Sequence, residues 1–357
     1  MGGIQEHAPT LRRLLQLCQR PPVNGGSVPV NPWERYTVRL ISMIQAPHTR
    51  SIGSVLLATL LLVTACASQQ PQRGTAASDT RTQVASGNPD EMAGDALQAL
   101  SEGSGQQALA AIARANVLAP KRADLAWLHA RICMLVPGCE PEPVETRFRK
   151  LAPDNGVVWL GPLARAQSRG DKRVEDQILE AMSQARRFDL YWTDLVSRIA
   201  VAQSARAPAP GTPGAQPHPL TTALDQTTEA MSDAVVPAFK PLNTSCDLDR
   251  TQDPATRTRC LRIAQAMQQS DTTLVEGLGI GIAQRLATPA TPDALVLEER
   301  GATLSYRSQA AGAVVRSQVE RDKFSAQMIE LMKKLPREQD VSLAILRWAG
   351  EPLLPQK

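Results

Sequence analysis

Leu118–Leu135 reads LAPKRADLAWLHARICML, and the fold of the chain turns on this stretch. Leu125, Leu128, Ile132 and Leu135 stand three, four and three residues apart, which puts all four on one stripe of an α-helix. Pro120 precedes the stripe and Pro137-Gly138 succeeds it, so the helix is bounded on both sides. The pattern recurs downstream: Val174, Ile178 and Met182 repeat every four residues. Further breaks fall at Pro137 to Pro143, at Pro153-Asp154-Asn155-Gly156 and at Gly170-Asp171. No stretch alternates with the period of two that a half-buried strand needs. Aromatic residues make up 3% of the chain, while Ala, Leu, Gln and Arg abound, a composition that suits helices over a β-sandwich. The expected class is all-α, built from short helices that each have one apolar stripe to bury.

Two of the breaks are alike. Leu118-Ala119-Pro120 and Leu151-Ala152-Pro153 lie 33 residues apart, and Trp127 and Trp159 lie 32 apart. The run from Pro153 through Trp159 to Gly170-Asp171 resembles the boundary and first helix of a tetratricopeptide repeat, whose period is about 34. The match is degenerate, since Pro162-Leu163 and Ala130-Arg131 stand where that repeat has Leu-Gly. The resemblance covers under a third of the chain and implies stacked helical hairpins over residues 89–205. Trp127, Trp159, Phe188, Tyr191 and Trp192 are expected to anchor that core.

Residues 206–219, RAPAPGTPGAQPHP, hold five Pro and no large apolar side chain and read as a linker. Beyond it, 220–349 is a second helical region with long antiparallel helices, and 350–357 is a tail. One helical segment is expected from Thr221 to Phe239, one from Pro254 to about Leu286, and one from Pro292 to Leu335 in which Gly301 and Gly312 are candidate kinks. Val341 to Trp348 forms a last amphipathic stretch.

The chain carries 39 Lys plus Arg against 35 Asp plus Glu, a formal charge of +4. Residues 1–65 hold six Arg, no Lys and two Glu, so the surplus lies there and residues 66–357 balance at 33 against 33. Nucleic-acid binding needs a concentrated positive field, and the count downstream of residue 65 does not supply one. Residues 43–70, MIQAPHTRSIGSVLLATLLLVTACASQQ, have the layout of a secretory signal: a polar opening, an uncharged run from Ile52 to Val63, then small residues. That run is 12 residues, short of the roughly 20 that cross a bilayer. It ends Val63-Thr64-Ala65-Cys66, which resembles the lipobox of bacterial lipoproteins. The resemblance implies a signal peptide over 43–65, cleavage before Cys66, and acylation of the Cys66 sulfur and new amino group, an anchor that needs no spanning helix. Ala67, where Asp retains lipoproteins in the inner membrane, implies the outer membrane and its periplasmic face. Residues 1–42 sit badly before such a signal, and translation is expected to begin at Met43. Residues 66–88 are rich in Ser, Thr, Gln and Gly and read as a flexible tether, about 26 Å long on average.

Four cysteines remain in the helical part, as two local pairs: Cys133 with Cys139, and Cys246 with Cys260. An oxidising compartment favours disulfides, which by loop closure would contribute roughly 2.5 and 3 kcal/mol. Free buried thiols and a zinc site are the rival readings, although zinc ligands favour separations of about two to four residues. Cys246 and Cys260 are expected to bracket a polar loop, DLDRTQDPATRTR.

Motifs for catalysis are absent: there is no Gly-x-Ser-x-Gly elbow, no His-Glu-x-x-His and no Walker loop. Gly277, Gly279 and Gly281 lie inside a helical run, where a small face for close packing is expected rather than a dinucleotide loop. His129 borders an apolar stripe, and His218 sits between prolines. Glu298-Glu299 and the pair Glu140 and Glu142 diverge around their helices and read as solvated charge, as do Arg147/Arg149 and Arg186/Arg187. No cofactor and no metal ligand is expected. The chain resembles uncharacterised proteobacterial lipoproteins with degenerate tetratricopeptide-like helices. The function expected is a non-catalytic protein-interaction or envelope-assembly scaffold, with a membrane anchor and a protein partner. The alternative is an envelope enzyme acting on a cell-wall or lipid substrate.

Overall fold

The computed structural model describes residues 87–208, 218–234, 236–318 and 320–355. The leader (1–42), the signal peptide (43–65), Cys66, the tether up to residue 86 and the linker residues 209–217 lie outside the described residues.

The protein is all-α. The described residues form fourteen α-helices and no strand. They are α1 Pro89–Ser101, α2 Gly105–Leu118, α3 Ala123–Leu135, α4 Pro141–Leu151, α5 Leu160–Ser168, α6 Lys172–Ser183 and α7 Trp192–Ala205 before the linker. After it come α8 Pro219–Ala234, α9 Lys240–Ser245, α10 Pro254–Met267, α11 Thr273–Leu286, α12 Pro292–Ser317, α13 Arg321–Lys334 and α14 Glu338–Ala349. Short polar side chains start several of them. Asn88 accepts the Asp90 N–H, Asp171 that of Val174, and Asp253 that of Thr256, each satisfying a donor the first turn leaves open.

Neighbouring helices pack in pairs, α1 on α2, α3 on α4, α5 on α6 and α10 on α11. The two Leu-Ala-Pro breaks end α2 and α4 in the same way. Ala119 (φ −127°, ψ 68°) and Ala152 (φ −137°, ψ 64°) take nearly one conformation, and each donates its N–H to the carbonyl four residues back. The segments after the two breaks differ: the first is a 13-residue helix, the second a 3-10 turn at Gly156–Trp159 leading into the short α5.

The linker does not divide the packing. One buried cluster runs from Met92 to Leu346. Beyond the linker α8 lies on α7 and α1, α10 packs on α6, and α13 on α7. Trp192, Phe148 and Phe188 are among the largest fully buried side chains. Trp127 is buried beside Phe148 at 5.5 Å between ring centres, while Trp159 and Tyr191 are half-buried at the core's edge.

Three expected segments are interrupted. The first, expected from Thr221 to Phe239, stops at Ala234: Val236 through Phe239 are non-helical, and α9 begins beyond the expected end. The run expected from Pro254 to Leu286 breaks at Gln268–Thr272. There the Ser270 hydroxyl donates to Phe188 O (2.6 Å), and Asp271 accepts N–H groups of Leu190 (2.8 Å) and Trp192 (3.2 Å). Thr272 then caps α11 through the Val275 N–H. Short polar side chains with such partners compete with the helix. The long run breaks at Gln318, which is extended. Asp322 in the first turn of α13 is drawn to the start of α8, accepting from the Thr221 hydroxyl (2.7 Å) and lying 3.1 Å from His218 Nδ1. Neither Gly301 nor Gly312 interrupts α12. α10 begins at Pro254 as expected, so the polar loop after Cys246 ends there and Cys260 stands inside the helix.

Cys133 and Cys139 form a disulfide, with sulfurs 1.97 Å apart across the turn where Gly138 takes φ +83°. Cys246 and Cys260 form a second, 2.02 Å, tying the end of α9 to α10. Of the glycines in α11 only Gly279 meets a close neighbour. A Cβ there would come 2.7 Å from Met267 Cβ and 2.8 Å from Ala264 O of α10. At Gly281 it would meet nothing within 4 Å.

Candidate functional site

The buried polar groups hold distant segments together. The carbonyl of Asp271 accepts the Glu338 N–H (2.8 Å), and the Glu338 carboxylate accepts the Thr273 N–H (2.8 Å). Arg337 Nε donates to Ser270 O (3.2 Å), and Thr193 Oγ1 to Pro336 O (2.7 Å). The start of α7, the α10–α11 turn and the start of α14 are thereby joined around Tyr191, whose φ of 57° is left-handed. Burial and the neighbouring Asp189 carboxylate push the Asp271 carboxyl up, against the pull of three backbone N–H groups. Burial likewise pushes Glu338 up to about 7. Glu175 is 1% exposed and accepts from Arg250 (2.8 Å), the Ser245 hydroxyl (2.7 Å), Gln167 (3.0 Å) and Lys172 (3.2 Å). Burial opposes its ionisation, but these donors outweigh it and hold the carboxyl below its ordinary range.

The polar residues singled out in sequence are mostly structural. His129 is half-buried on α3, where burial and the Arg147 charge push its imidazole down, and it lines none of the cavities beside α8, α12 and α13. His218 sits at the start of α8 against Asp322. Glu142 is exposed but pairs with Arg149 (2.7 Å) and Arg165 (3.2 Å). The arginines correct the expectation of solvated charge. Arg147 reaches from α4 to the open carbonyls of Asn116 (2.9 Å) and Pro120 (3.1 Å) at the end of α2. Arg149 lies over the Trp159 ring at 5.2 Å, and Arg187 bridges Asp154 (3.2 Å) and Asp189 (2.6 Å); Arg186 alone of the four is exposed. Among the described residues no three His, Cys, Asp or Glu side chains are placed to share a metal ion. No described helix is long and apolar enough to cross a membrane.

The first of the cavities, about 390 Å³ between α11, α12 and α14, carries Arg300, Arg307 and Arg337; Arg300 and Arg337 pair with Glu276 (2.7 and 3.4 Å), and Arg307 Nε donates to Leu353 O (2.9 Å). An apolar groove of about 430 Å³ between α13 and α14 runs over Phe324, Met328, Ile345 and Trp348. A third, about 700 Å³, lies where the two sequence halves meet, walled by α1, α7 and α8. Its floor is apolar: Leu97 and Leu100 from α1, Ile199 from α7, and Ala223, Ala230 and Ala234 from α8. Small residues on α8 keep that floor low. Gln98, Gln203 and Gln226 present amides, and Glu102, Glu229 and Asp233 present carboxylates. Gln203 lies over Gly94, where a Cβ would collide with its amide, so the glycine makes room for the groove's inner wall. Half of the lining is polar, and the volume falls within the span of about 300–1,000 Å³ customary for ligand sites.

No family model matches the chain, and no curated protein or solved structure matches it either.

Proposed function

We propose that this chain is a lipid-anchored, periplasm-facing lipoprotein whose helical body acts as a non-catalytic scaffold, engaging a protein partner through the groove between α1, α7 and α8. The observation that carries the reading is the groove: about 700 Å³, open at the surface, and walled by helices from both halves of the chain. Helix-walled grooves with an apolar floor suit the helices and extended segments of other proteins. The anchor rests on Val63-Thr64-Ala65-Cys66 and the apolar run before it. The two disulfides agree with an oxidising compartment, and the paired helices with a degenerate tetratricopeptide-like stack.

Two measurements test this. Radiolabelled palmitate is expected to enter the wild-type protein and not Cys66→Ser, which leaves the membrane fraction on washing; label in the variant refutes the anchor. A photo-crosslinking amino acid at the exposed Gln226 is expected to capture a discrete partner in the native envelope, whereas one at exposed Leu248, away from the groove, does not. Equal or absent adducts at both positions refute the groove as a partner site.

A further inference from the structure

We infer that the cavity between α11, α12 and α14 binds a small zwitterion, an amino acid or short peptide with free ends, whose carboxylate takes Arg307 and whose ammonium takes Asp340. The site is separate from the groove between α1, α7 and α8 and stands or falls without it. The cavity holds about 390 Å³, inside the span customary for small ligands. Arg300, Arg307 and Arg337 line it together with Glu276, Glu299 and Asp340.

These charges are not equally engaged. Buried Glu276 takes Arg300 (2.7 Å) and Arg337 (3.4 Å). Arg300 also donates to the Gln268 side chain (2.8 Å) and carbonyl (2.9 Å), and Arg337 to Ser270 O (3.2 Å), so both brace the end of α10. Arg307 is held otherwise. Its Nε donates to Leu353 O (2.9 Å), and the hydroxyl of Tyr306 donates to Pro352 O (3.1 Å), which seats the tail against α12. The half-buried guanidinium is thereby fixed by one edge, while its Nη1 and Nη2 make no hydrogen bond or ion pair among the described residues. Asp340, in the first turn of α14, and Glu299, on α12, likewise have no ion pair among the described residues.

This arrangement discriminates among ligands. A guanidinium with its Nη edge open has the geometry for two parallel hydrogen bonds to a carboxylate. Phosphate, or any anion without a cation of its own, meets that edge but brings its charge up to Asp340 and Glu299. An amine without an anion answers the carboxylates and is repelled by Arg307. A zwitterion satisfies both signs at once and leaves the lining as neutral as it found it. Leu304 and Leu343 give an apolar wall for its side chains, and the hydroxyls of Thr303, Ser308 and Ser342 are available to its peptide group.

The test uses the full-length protein in detergent and isothermal titration with three probes: leucyl-leucine, its N-acetyl form, which keeps only the negative charge, and its C-terminal amide, which keeps only the positive one. The free dipeptide is expected to bind about tenfold or more tightly than either derivative. Arg307→Gln is expected to bring the dipeptide down to the level of the amide, and Asp340→Asn to that of the N-acetyl form, with helix content unchanged in both variants. That matching of residue to charge is a readout which a merely structural role would not give, and the derivative series on wild type needs no variant to fold. Absence of dipeptide binding overturns the inference, as does a derivative that binds as well as the dipeptide, which would mark a site for one charge alone. A folded variant that binds the dipeptide as tightly as wild type overturns it too.

Discussion

Replacing Gly279 or Gly281 by alanine makes one chemical change in one helix, and the structure requires opposite outcomes. Both glycines lie inside α11. Alanine restores helix propensity and narrows the unfolded ensemble, a gain of about 0.5–1 kcal/mol at an unstrained site. At Gly281 the new methyl meets nothing within 4 Å, so this gain stands alone. At Gly279 the methyl would sit 2.7 Å from Met267 Cβ and 2.8 Å from Ala264 O, and 3.1 Å from Gln268 N. Two of these neighbours are backbone atoms of α10 and its C-terminal cap, which cannot swing aside as a side chain would. Forcing the helices apart costs about 1–3 kcal/mol, so Gly279→Ala is expected to lose about 1–2 kcal/mol net. Helix and unfolded-state effects are common to both sites and cancel in the comparison, which leaves the gap between the variants as the overpacking cost alone. Urea unfolding monitored by circular dichroism, with equal m-values, measures it. The reasoning is refuted if Gly279→Ala is as stable as wild type, or if Gly281→Ala loses as much as Gly279→Ala.

Glu338 is raised to about 7 in the folded protein, so the folded state binds more protons than the unfolded one and stability falls as pH rises from about 4.5 to 7. Glu338→Gln removes that dependence while keeping an acceptor for the Thr273 N–H, and is expected to gain about 3 kcal/mol on wild type between pH 4.5 and 8 in parallel urea titrations; an unchanged difference across that range refutes it. Arg250→Ala leaves the Glu175 carboxylate buried without its guanidinium and is expected to cost about 3 kcal/mol or more. A loss under 1 kcal/mol would mean that Ser245, Gln167 and Lys172 suffice. Removing Cys246–Cys260 as the double alanine variant is expected to cost about 3 kcal/mol, and removing Cys133–Cys139 about 2.5, since the longer loop restricts the unfolded chain more; the reverse order in thermal unfolding would refute the loop-closure account.

The helices are legible in the sequence because burial leaves a local record: Leu125, Leu128 and Ile132 repeat at the helical period and all three are fully buried. The ends at Ala119 and Ala152 are legible for the same reason, since Pro120 and Pro153 act within one turn. The break at Gln268–Thr272 is not, because the groups that stop the helix are answered by Phe188, Leu190 and Trp192, some 80 residues away in sequence. Asp322 ends a helical run for the same kind of reason, through its pull toward Thr221 and His218. The glycine triplet suggests a packing face, yet only the position turned toward Ala264 and Met267 serves as one, and orientation is settled by the partner helix. The groove has a trace in the sequence that a half-by-half charge count averages away. Counted helix by helix, α1 and α8 are the acidic pair without a single cation, and they lie on either side of a linker of more than ten residues. That imbalance becomes a surface property only when α8 folds back onto α1. A local pattern therefore predicts the walls of this site, and the long-range packing that seats α8 against α7 and α1 decides that they face one another.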